Sequence, residues 1–275
     1  MLKAKKHLGQ NFLKNQSILD TIVGSNNLNN QHIIEIGPGP GDLTAAILKR
    51  KPLSLSLIEI DDDMIPLLQE RFLWEKIALY HQDVLQTNIQ ENTAPCSREK
   101  FHVYKNKTIE TPSYKLYGNI PYYITSPIIY HILYEVVYPP TSMVITMQKE
   151  VADRILARDN KHSVLSLTCQ LMADIHRICD ISPNNFVPAP KVWSTCLEFN
   201  IKNNDSRESN KKLLQLIKAG FSQKRKKLLS NLTSNNSWSK EKITAIFQKV
   251  WISPDIRAED LSLEQWKQIG AFLNS

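Results

Sequence analysis

Short apolar runs alternate with amphipathic stretches through the first part of the chain. His32–Ile36, Leu53–Ile60 and Ile77–His81 have the length and the apolar or β-branched character of strands, whereas Asp42–Leu48 and Met64–Phe72 have apolar residues at helical spacing. Strands and helices that alternate in this way are typical of a parallel sheet. The pattern therefore predicts an α/β fold with helices on both faces of the sheet.

The same patterns continue to residue 201, with one interruption. They predict further strands at Lys115–Asn119, Ser142–Met147 and Val192–Ile201, a long strand within Val164–Ile181, and helices at Ile18–Val23, Ile124–Tyr134 and Gln148–Ala157. The polar segment Gln86–Tyr114 is long for a loop in a compact domain, which leaves open whether it holds a short hairpin or is mobile.

The pattern changes after the charged and polar stretch Asn203–Asn210, which is typical of a linker. Beyond it, four short segments have helical spacing and no strand pattern is present. These segments are Leu213–Phe221, Lys226–Leu232, Lys240–Val250 and Leu263–Leu273. The sequence therefore predicts an α/β domain over residues 1–202 and a small all-helical domain over residues 203–275.

Charge is distributed unevenly between these two parts. The net charge is +7, and the part from Asn203 to the end has 13 Lys and Arg against 7 Asp and Glu. A positive surface concentrated in a small domain favours a polyanionic partner such as RNA, and a solubilising charge balance is the alternative. No apolar run approaches the roughly 20 residues that span a membrane, and Met1–His7 has no signal-peptide pattern, so we expect a cytoplasmic protein.

Metal and disulfide chemistry are not indicated by the sequence. The four cysteines form no Cys-x-x-Cys pair and have no metal-ligand spacing with the seven scattered histidines. We therefore interpret them as reduced thiols and expect no metal site. These cysteines are Cys96, Cys169, Cys179 and Cys196.

A glycine-rich turn directly follows the first predicted strand of the sheet. The turn Gly37-Pro38-Gly39-Pro40-Gly41 would let a ligand approach the backbone closely, and Glu59, after the next strand, could accept both ribose hydroxyls of a nucleoside. Asp42 stands where a dinucleotide fingerprint needs a glycine, and no Lys-Ser/Thr pair forms a phosphate-binding loop. This favours a nucleoside without phosphates, of which S-adenosylmethionine is the common one. A purely structural turn is the alternative.

Two further polar positions follow strands that end at the same edge. Asp83 is predicted to accept the exocyclic amine of the cofactor's adenine, with a helix cap as the alternative. Asn119-Ile120-Pro121-Tyr122 offers an amide oxygen, a main-chain carbonyl and an aromatic face. The two acceptors would hold both N–H groups of a target adenine while Tyr122 stacks on the base. Phe186 would close the other face of that base, unless it belongs to the core.

With several other segments, these residues resemble the small-subunit rRNA adenine dimethyltransferase family over nearly the whole chain. The most specific matches are Lys6-His7-Leu8-Gly9-Gln10-Asn11-Phe12-Leu13, within a basic N-terminal arm of residues 1–13, and the segment Phe221-Ser222-Gln223-Lys224-Arg225-Lys226-Lys227-Leu228. The other matching segments are Glu35–Gly39, Ile58–Asp61, Gln82-Asp83, Gly118–Tyr122, Gln148–Ala152 and Pro188–Val192.

The resemblance implies a fold, a reaction and partners. The fold is that of class I S-adenosylmethionine-dependent methyltransferases, Rossmann-like with a mostly parallel seven-stranded sheet, followed by a helical RNA-binding domain. The reaction is dimethylation of two adjacent adenines in the 3′-terminal hairpin of small-subunit rRNA, in an immature 30S particle, as part of small-subunit biogenesis. A monomer is expected.

Carried over by position, the resemblance also implies roles for particular residues. Together with the glycine turn, it predicts cofactor contacts from Asn11, Leu13, Gly37, Gly39, Glu59, Asp83 and Asn119. The catalytic loop would consist of Asn119, Ile120, Pro121 and Tyr122. Candidate RNA contacts are Lys5 and Lys6 in the arm, Phe186, Lys191, and the basic run Lys224, Arg225, Lys226 and Lys227.

Three features depart from the family pattern, and two other functions stay open. Trp193 stands where aspartate is usual, Asn160–Ser163 replaces a turn that usually contains glycine, and Gln86–Tyr114 is longer than typical. A large-subunit rRNA adenine methyltransferase of the macrolide-resistance type shares the Asn119–Tyr122 motif. A ribosome assembly factor that acts mainly by binding, without catalysis, would also fit the sequence.

Overall fold

The computed structural model describes residues 5, 8–91, 101–157, 161–202, 207–234 and 238–274. Packing divides the chain into two units, one formed by Met1–Ala152 with Asp174–Ile201 and the other by Asp153–Ala173 with Lys202–Ser275. This division differs from the predicted boundary at residue 202, because residues 153–173 group with the helical unit instead of the sheet unit.

The strands lie in the sheet unit. In chain order they are β1 (Phe12–Leu13), β2 (His32–Ile36), β3 (Ser54–Glu59), β4 (Ile77–His81), β5 (Ile89–Glu91), β6 (His102–Lys105), β7 (Ile109–Thr111), β8 (Tyr114–Asn119), β9 (Ser142–Gln148), β10 (Ala173–Ile181), β11 (Phe186–Val187) and β12 (Ser194–Ile201).

Among the described residues, eight of these strands form one sheet in the order β10-β12-β9-β8-β2-β3-β4-β6. All neighbours from β9 to β6 are parallel, and β12 runs antiparallel to β9. The expected mostly parallel class I methyltransferase sheet is therefore confirmed, with eight strands in place of the predicted seven.

The additional edge strand comes from the segment Gln86–Tyr114, which the sequence left unassigned. It contributes β6 to the edge of the sheet, and its strands β5 and β7 pair with each other in parallel. Two parallel strands cannot be joined as a hairpin, so that alternative is wrong for β5 and β7. Residues 92–100 of this segment lie outside the described residues.

The helices, in chain order, are α1 (Gln16–Gly24), α2 (Asp42–Leu48), α3 (Met64–Arg71), α4 (Thr125–Tyr130), α5 (Lys149–Leu156), α6 (Val164–Met172), α7 (Arg207–Gly220), α8 (Leu228–Thr233), α9 (Lys240–Lys249) and α10 (Leu263–Asn274). The run Val164–Ile181, predicted to include a long strand, is α6 followed by β10, so the strand is confirmed over Ala173–Ile181. The apolar first half of this run fits either type of element, and Ser163 decides for the helix by forming a capping box with Ser166.

The register of the parallel strands aligns their carboxyl ends at one edge. Ile36 of β2 pairs with Ile58 of β3 and with Gly118 of β8, and Glu59 pairs with His81 of β4. Most side chains of these strands are buried, because the helices cover both faces of a parallel sheet. The turns that follow the strands therefore meet at one place on the surface of the unit.

The helical unit has its own core. α6 packs against α7, and the main-chain N–H of Lys202 donates to the carbonyl of Met172 at 2.8 Å. Trp266 of α10 is fully buried and lies against Gly220, where a Cβ would collide with the indole. Across the described ranges, no helix combines the length and the apolar character needed to cross a membrane.

Candidate active site

A cavity of about 280 Å³ lies at the carboxyl edge of the parallel strands. Its walls come from the arm before β1, the turn after β2, the ends of β3 and β4, and the loop after β8. The predicted cofactor-binding and catalytic residues that line this cavity are Asn11, Gly37, Gly39, Glu59, Asp83, Asn119, Ile120, Pro121 and Tyr122. Leu13 is the one member of that predicted set that is absent from the lining.

Leu13 and Phe186 face each other in the antiparallel pair of β1 and β11, and both side chains belong to the core. Phe186 is 3% exposed. A ring buried in this way cannot stack on an RNA base, so the prediction of an RNA contact is wrong and the core alternative holds. A cofactor contact from Leu13 stays a prediction.

The glycine turn needs left-handed backbone at two of the positions that line the cavity. Gly37 has a φ of 63° and Gly39 a φ of 54°, values that favour glycine. No atom lies within 4 Å of the place where a Cβ of Gly37 would stand, whereas the Phe12 ring occupies that place at Gly39. Open space beside Gly37 therefore lets a ligand approach the main chain, and the arm packs on Gly39.

Glu59 is 5% exposed and its carboxylate is held by the main chain. Oε2 accepts from Gly39 N–H at 3.1 Å, and Oε1 accepts from the N–H groups of Ile60 and Asp61 at 2.9 Å. Burial raises the pKa of Glu59, and these three amides oppose the increase. The carboxylate has a fixed orientation at the cavity wall, and about one of its lone-pair positions remains for a ligand hydroxyl.

Both interpretations of Asp83 agree with its geometry. Oδ1 accepts from Leu85 N–H at 2.9 Å and caps the short 3₁₀ turn Val84–Gln86. Oδ2 accepts no hydrogen bond from the described residues, and the residue lines the cavity. One carboxylate oxygen thus serves as the cap, and the other can accept from a ligand N–H.

The loop after β8 presents the predicted amine-binding groups. The Asn119 amide Nδ2 donates to the carbonyl of Asn11 at 3.0 Å, which leaves Oδ1 as the free acceptor of that side chain. The Ile120 carbonyl accepts no hydrogen bond within the described part of the chain. Tyr122 is half-buried and its hydroxyl lies 2.6 Å from Ser194 Oγ, and burial raises its pKa. Ser194 therefore restrains the ring that was predicted to stack.

The arm lies over the cavity and is anchored by Asp61. Lys5 Nζ lies 2.5 Å from Asp61 Oδ1, and Gln10 Nε2 donates to Asp61 Oδ2 at 2.6 Å. Burial alone would raise the pKa of Asp61, but the hydrogen bonds from Lys5 and Gln10 outweigh it and lower the pKa. Gln10, Asp61 and Ser194 had no predicted role in the site. The family-like segments that contain Gln10 and Asp61 were the available signals for these two residues.

The predicted RNA-contacting cations lie in different surroundings. Lys5 pairs with Asp61 and Asp63, and these hydrogen bonds raise its pKa. Lys191 is exposed, and Lys6 lies outside the described residues. Lys224–Lys227 are exposed and lie in the turn between α7 and α8. The helix that was predicted to begin at Lys226 begins at Leu228.

The donor set of the cavity fits S-adenosylmethionine. The open space at Gly37 would admit the ligand next to the main chain, Glu59 offers a carboxylate to a diol, and Asp83 offers an oxygen to an amine. The free acceptors of Asn119 and Ile120 lie in the wall of the same cavity. Among the described residues, no group of three His, Cys, Asp or Glu side chains is arranged to hold a metal ion.

Comparisons with known proteins agree on one family. The sequence profile described as "Ribosomal RNA adenine dimethylase" matches residues 1–275. A protein of Mycoplasmopsis pulmonis (strain UAB CTIP) is 37% identical over 96% of this chain and 97% of its own length, and one of Synechococcus elongatus is 37% identical over 96% and 93%. Both are named "Ribosomal RNA small subunit methyltransferase A".

Solved structures support the fold. A dimethyladenosine transferase from Plasmodium falciparum has a TM-score of 0.72 at 23% identity, covering 94% of this chain and 95% of its own. The 23S rRNA methyltransferase ErmE has a TM-score of 0.70 at 19% identity, covering 96% of this chain and 100% of its own. At such identities the likeness concerns architecture alone.

Proposed function

Since the chain belongs to the ribosomal RNA adenine dimethylase family, we propose that the loop Asn119–Tyr122 holds the target adenine of that reaction. The protein is an S-adenosylmethionine-dependent rRNA adenine dimethyltransferase of the small-subunit type. Our proposal concerns the roles of its individual residues and the particle that contains its substrate RNA.

Gly37, Glu59 and Asp83 would hold S-adenosylmethionine, which supplies a methyl group on a positively charged sulfur. Glu59 would accept from a ribose hydroxyl through its remaining lone-pair position, since its carboxylate has a fixed orientation at the cavity wall. The free oxygen of Asp83 would accept from the adenine amine. The arm residues Gln10 and Asn11 would exclude water above the cavity.

Asn119 and the Ile120 carbonyl would accept the two N–H groups of the target amine. An adenine amine is a weak nucleophile, because its lone pair is delocalised into the ring. Two acceptors favour a tetrahedral nitrogen, whose lone pair is then free to react, and no strong base is required. Tyr122 would stack on the extruded base, with its ring restrained by Ser194.

The observation that carries this assignment is the hydrogen bond from Asn119 Nδ2 to the Asn11 carbonyl. It sets the amide so that Oδ1 remains for the substrate. An amide free to rotate would present its NH₂ group to the amine as often as its oxygen, and the two donors would repel each other. The arm thus contributes to catalysis by orienting Asn119.

The finer substrate is also part of the proposal. We place the reaction on an immature 30S particle in the cytoplasm, by a monomeric enzyme whose helical unit contacts the RNA. The names of the curated relatives support the small-subunit target. The large-subunit enzyme ErmE is only 19% identical to this chain, and its similarity concerns the fold. It therefore does not favour the large-subunit alternative.

The test is transfer of labelled methyl groups to immature small subunits from a strain that lacks the enzyme, followed by primer extension to locate the modified adenines. We expect Asn119→Ala to lower transfer by about a hundredfold or more, because one acceptor of the amine is lost, while particle binding persists. Asn29→Ala, at an exposed asparagine before β2, serves as the control.

Each alternative predicts a different result. Transfer by Asn119→Ala at nearly the wild-type rate would show that the catalytic assignment is wrong. Wild-type protein that binds particles without any transfer would favour the assembly-factor function. Modification of a single large-subunit adenine would favour the macrolide-resistance type of enzyme.

A further inference from the structure

Helix α9 ends in a turn that normally requires glycine. Ile252 N–H donates to the Phe247 carbonyl at 2.9 Å, and Trp251 N–H donates to the Gln248 carbonyl at 3.4 Å. These two bonds define a Schellman motif, in which the residue at the place of Trp251 has left-handed backbone and is most often glycine. Trp251 has a φ of 55°, which is uncommon for a bulky side chain.

The indole of Trp251 makes no use of this turn. It is 93% exposed, while its neighbours Val250 and Ile252 are 8% and 6% exposed. The motif's apolar contact is provided by Ile252 and Phe247, which are both buried. The fold of the helical unit therefore gains nothing from an aromatic residue here, and glycine would relieve the backbone.

The helical unit that carries Trp251 is basic. The helical unit has 17 Lys and Arg against 9 Asp and Glu, whereas the sheet unit has 17 against 18. The loop that begins at Trp251 contacts the end of the basic run Lys224–Lys227. Leu228 N–H donates to the Ile256 carbonyl at 2.8 Å, and Lys227 Nζ lies 2.6 Å from Asp255 Oδ1.

We propose that Trp251 is a stacking site for an unpaired base of the RNA substrate, while the adjacent basic run binds neighbouring phosphates. An exposed aromatic ring beside cations is the combination that single-stranded RNA requires, because bases stack on the ring and phosphates pair with the cations. An apolar patch on a ribosomal protein would match the ring but not the cations. The inference rests on the proposed function, since it takes immature small subunits as the ligand.

The deciding variant is Trp251→Gly, measured in the full chain. We expect its thermal stability to be equal to or above that of the wild type, because glycine fits this backbone. We expect affinity for immature small subunits to fall about 5- to 150-fold, the range for loss of one base stack. The slope of log affinity against log salt should not change, because no charge is removed. Trp251→Phe, which keeps a ring, should lose less.

Two control variants separate stacking from other effects. Lys51→Gly removes left-handed strain at a residue with a φ of 53° in the sheet unit and involves no aromatic ring. Trp74→Ala removes a tryptophan that is 75% exposed in the same unit. Neither should weaken particle binding as Trp251→Gly does.

Ultraviolet cross-linking of wild-type protein to the particles identifies what the ring touches. A ribonuclease-sensitive adduct on the peptide that contains Trp251 is expected. An adduct to a ribosomal protein, no adduct at this peptide, or unchanged affinity of Trp251→Gly would overturn the proposal. Methyl transfer by the wild type to the same particles is measured in parallel, so failure of the proposed function would be recognised separately.

Discussion

At the scale of one residue, the proposed catalytic residue Asn119 shows how the orientation of a side chain depends on a distant part of the chain. Its sequence motif predicts an amide that binds an amine, but an amide has two ends. The carbonyl of Asn11, which is 108 residues earlier, determines which end is free. Phe186 shows the opposite case, since its sequence context suits stacking or the core equally, and only its 3% exposure decides.

Glu59→Ala is expected to weaken binding of S-adenosylmethionine by more than roughly 1 kcal/mol, because a ribose hydroxyl loses a charged acceptor. The three amides that hold the carboxylate lose theirs as well, so the thermal stability of the variant is measured alongside. Isothermal calorimetry gives the affinity, with the exposed Glu75→Ala as control. Unaltered affinity in a folded variant would contradict the assigned role.

Glu35 predicts a pH dependence of stability. It is 1% exposed and accepts from Thr44 Oγ1 at 2.7 Å, and burial raises its pKa to about 8 from an ordinary value of 4.5. The folded state therefore binds this proton more tightly than the unfolded state. The free energy of unfolding consequently falls as the pH rises from about 4.5 to about 8.

Glu35→Gln should remove this loss, because the amide does not ionise. Relative to the wild type, the variant should gain stability as pH rises from 5 to 8.5, by at most about 5 kcal/mol. Urea unfolding at several pH values measures the difference, with the exposed Glu150→Gln as control. A difference between variant and wild type that stays constant with pH would rule out a raised pKa.

At the scale of elements, the arm is the part that completes the site. Asn11, directly before β1, was predicted to contact the cofactor, and the structure shows what anchors the arm at the cavity, namely the hydrogen bonds of Lys5 and Gln10 to Asp61. Asp61 follows β3 directly, so the strand that carries Glu59 also carries the anchor. Asp61 thus holds the start of the arm at the cavity, while the pairing of β1 with β11 holds its end.

Asp61→Asn should therefore loosen the arm. The isosteric amide removes the charge that accepts hydrogen bonds from Lys5 and Gln10, and a hydrogen bond to a charged group contributes roughly 1.5–3 kcal/mol. Hydrogen exchange over residues 8–13 should become faster, and S-adenosylmethionine should dissociate faster in stopped-flow measurements. Asp62→Asn, whose carboxylate is 84% exposed, is the matched control. Equal exchange rates in Asp61→Asn and Asp62→Asn would exclude the anchor.

At the scale of the whole molecule, charge follows the units defined by packing more closely than the boundary predicted from sequence. The helical part from Asn203 carries +6 by sequence, and the packed unit that includes residues 153–173 carries +8. The sheet unit is left at −1. We therefore expect long-range attraction of RNA to come mainly from the helical unit, with the proposed chemistry in the sheet unit.

Replacing Lys224–Lys227 with glutamine should weaken RNA binding and flatten its salt dependence. Each lost phosphate contact lowers the slope of log affinity against log salt by about 0.7–0.9. Lys227 already pairs with Asp255, so its single replacement should have the smallest effect. A control with the same change in charge replaces Lys211, Lys212, Lys218 and Lys240. Identical slopes for the two quadruple variants would show that position within the unit does not matter.

The sequence by itself determined the alternation of strands and helices. It also identified the glycine turn, Glu59, Asp83 and the Asn119–Tyr122 loop as candidates for the site, because periodicity and local backbone requirements depend on neighbouring residues. It did not determine β6, the start of β10 or the place of residues 153–173 in the helical unit, because these depend on pairing and packing between distant parts of the chain. The same holds for the site: Asp61 under the arm, Ser194 on Tyr122 and the orientation of Asn119 exist only where residues far apart in sequence come into contact.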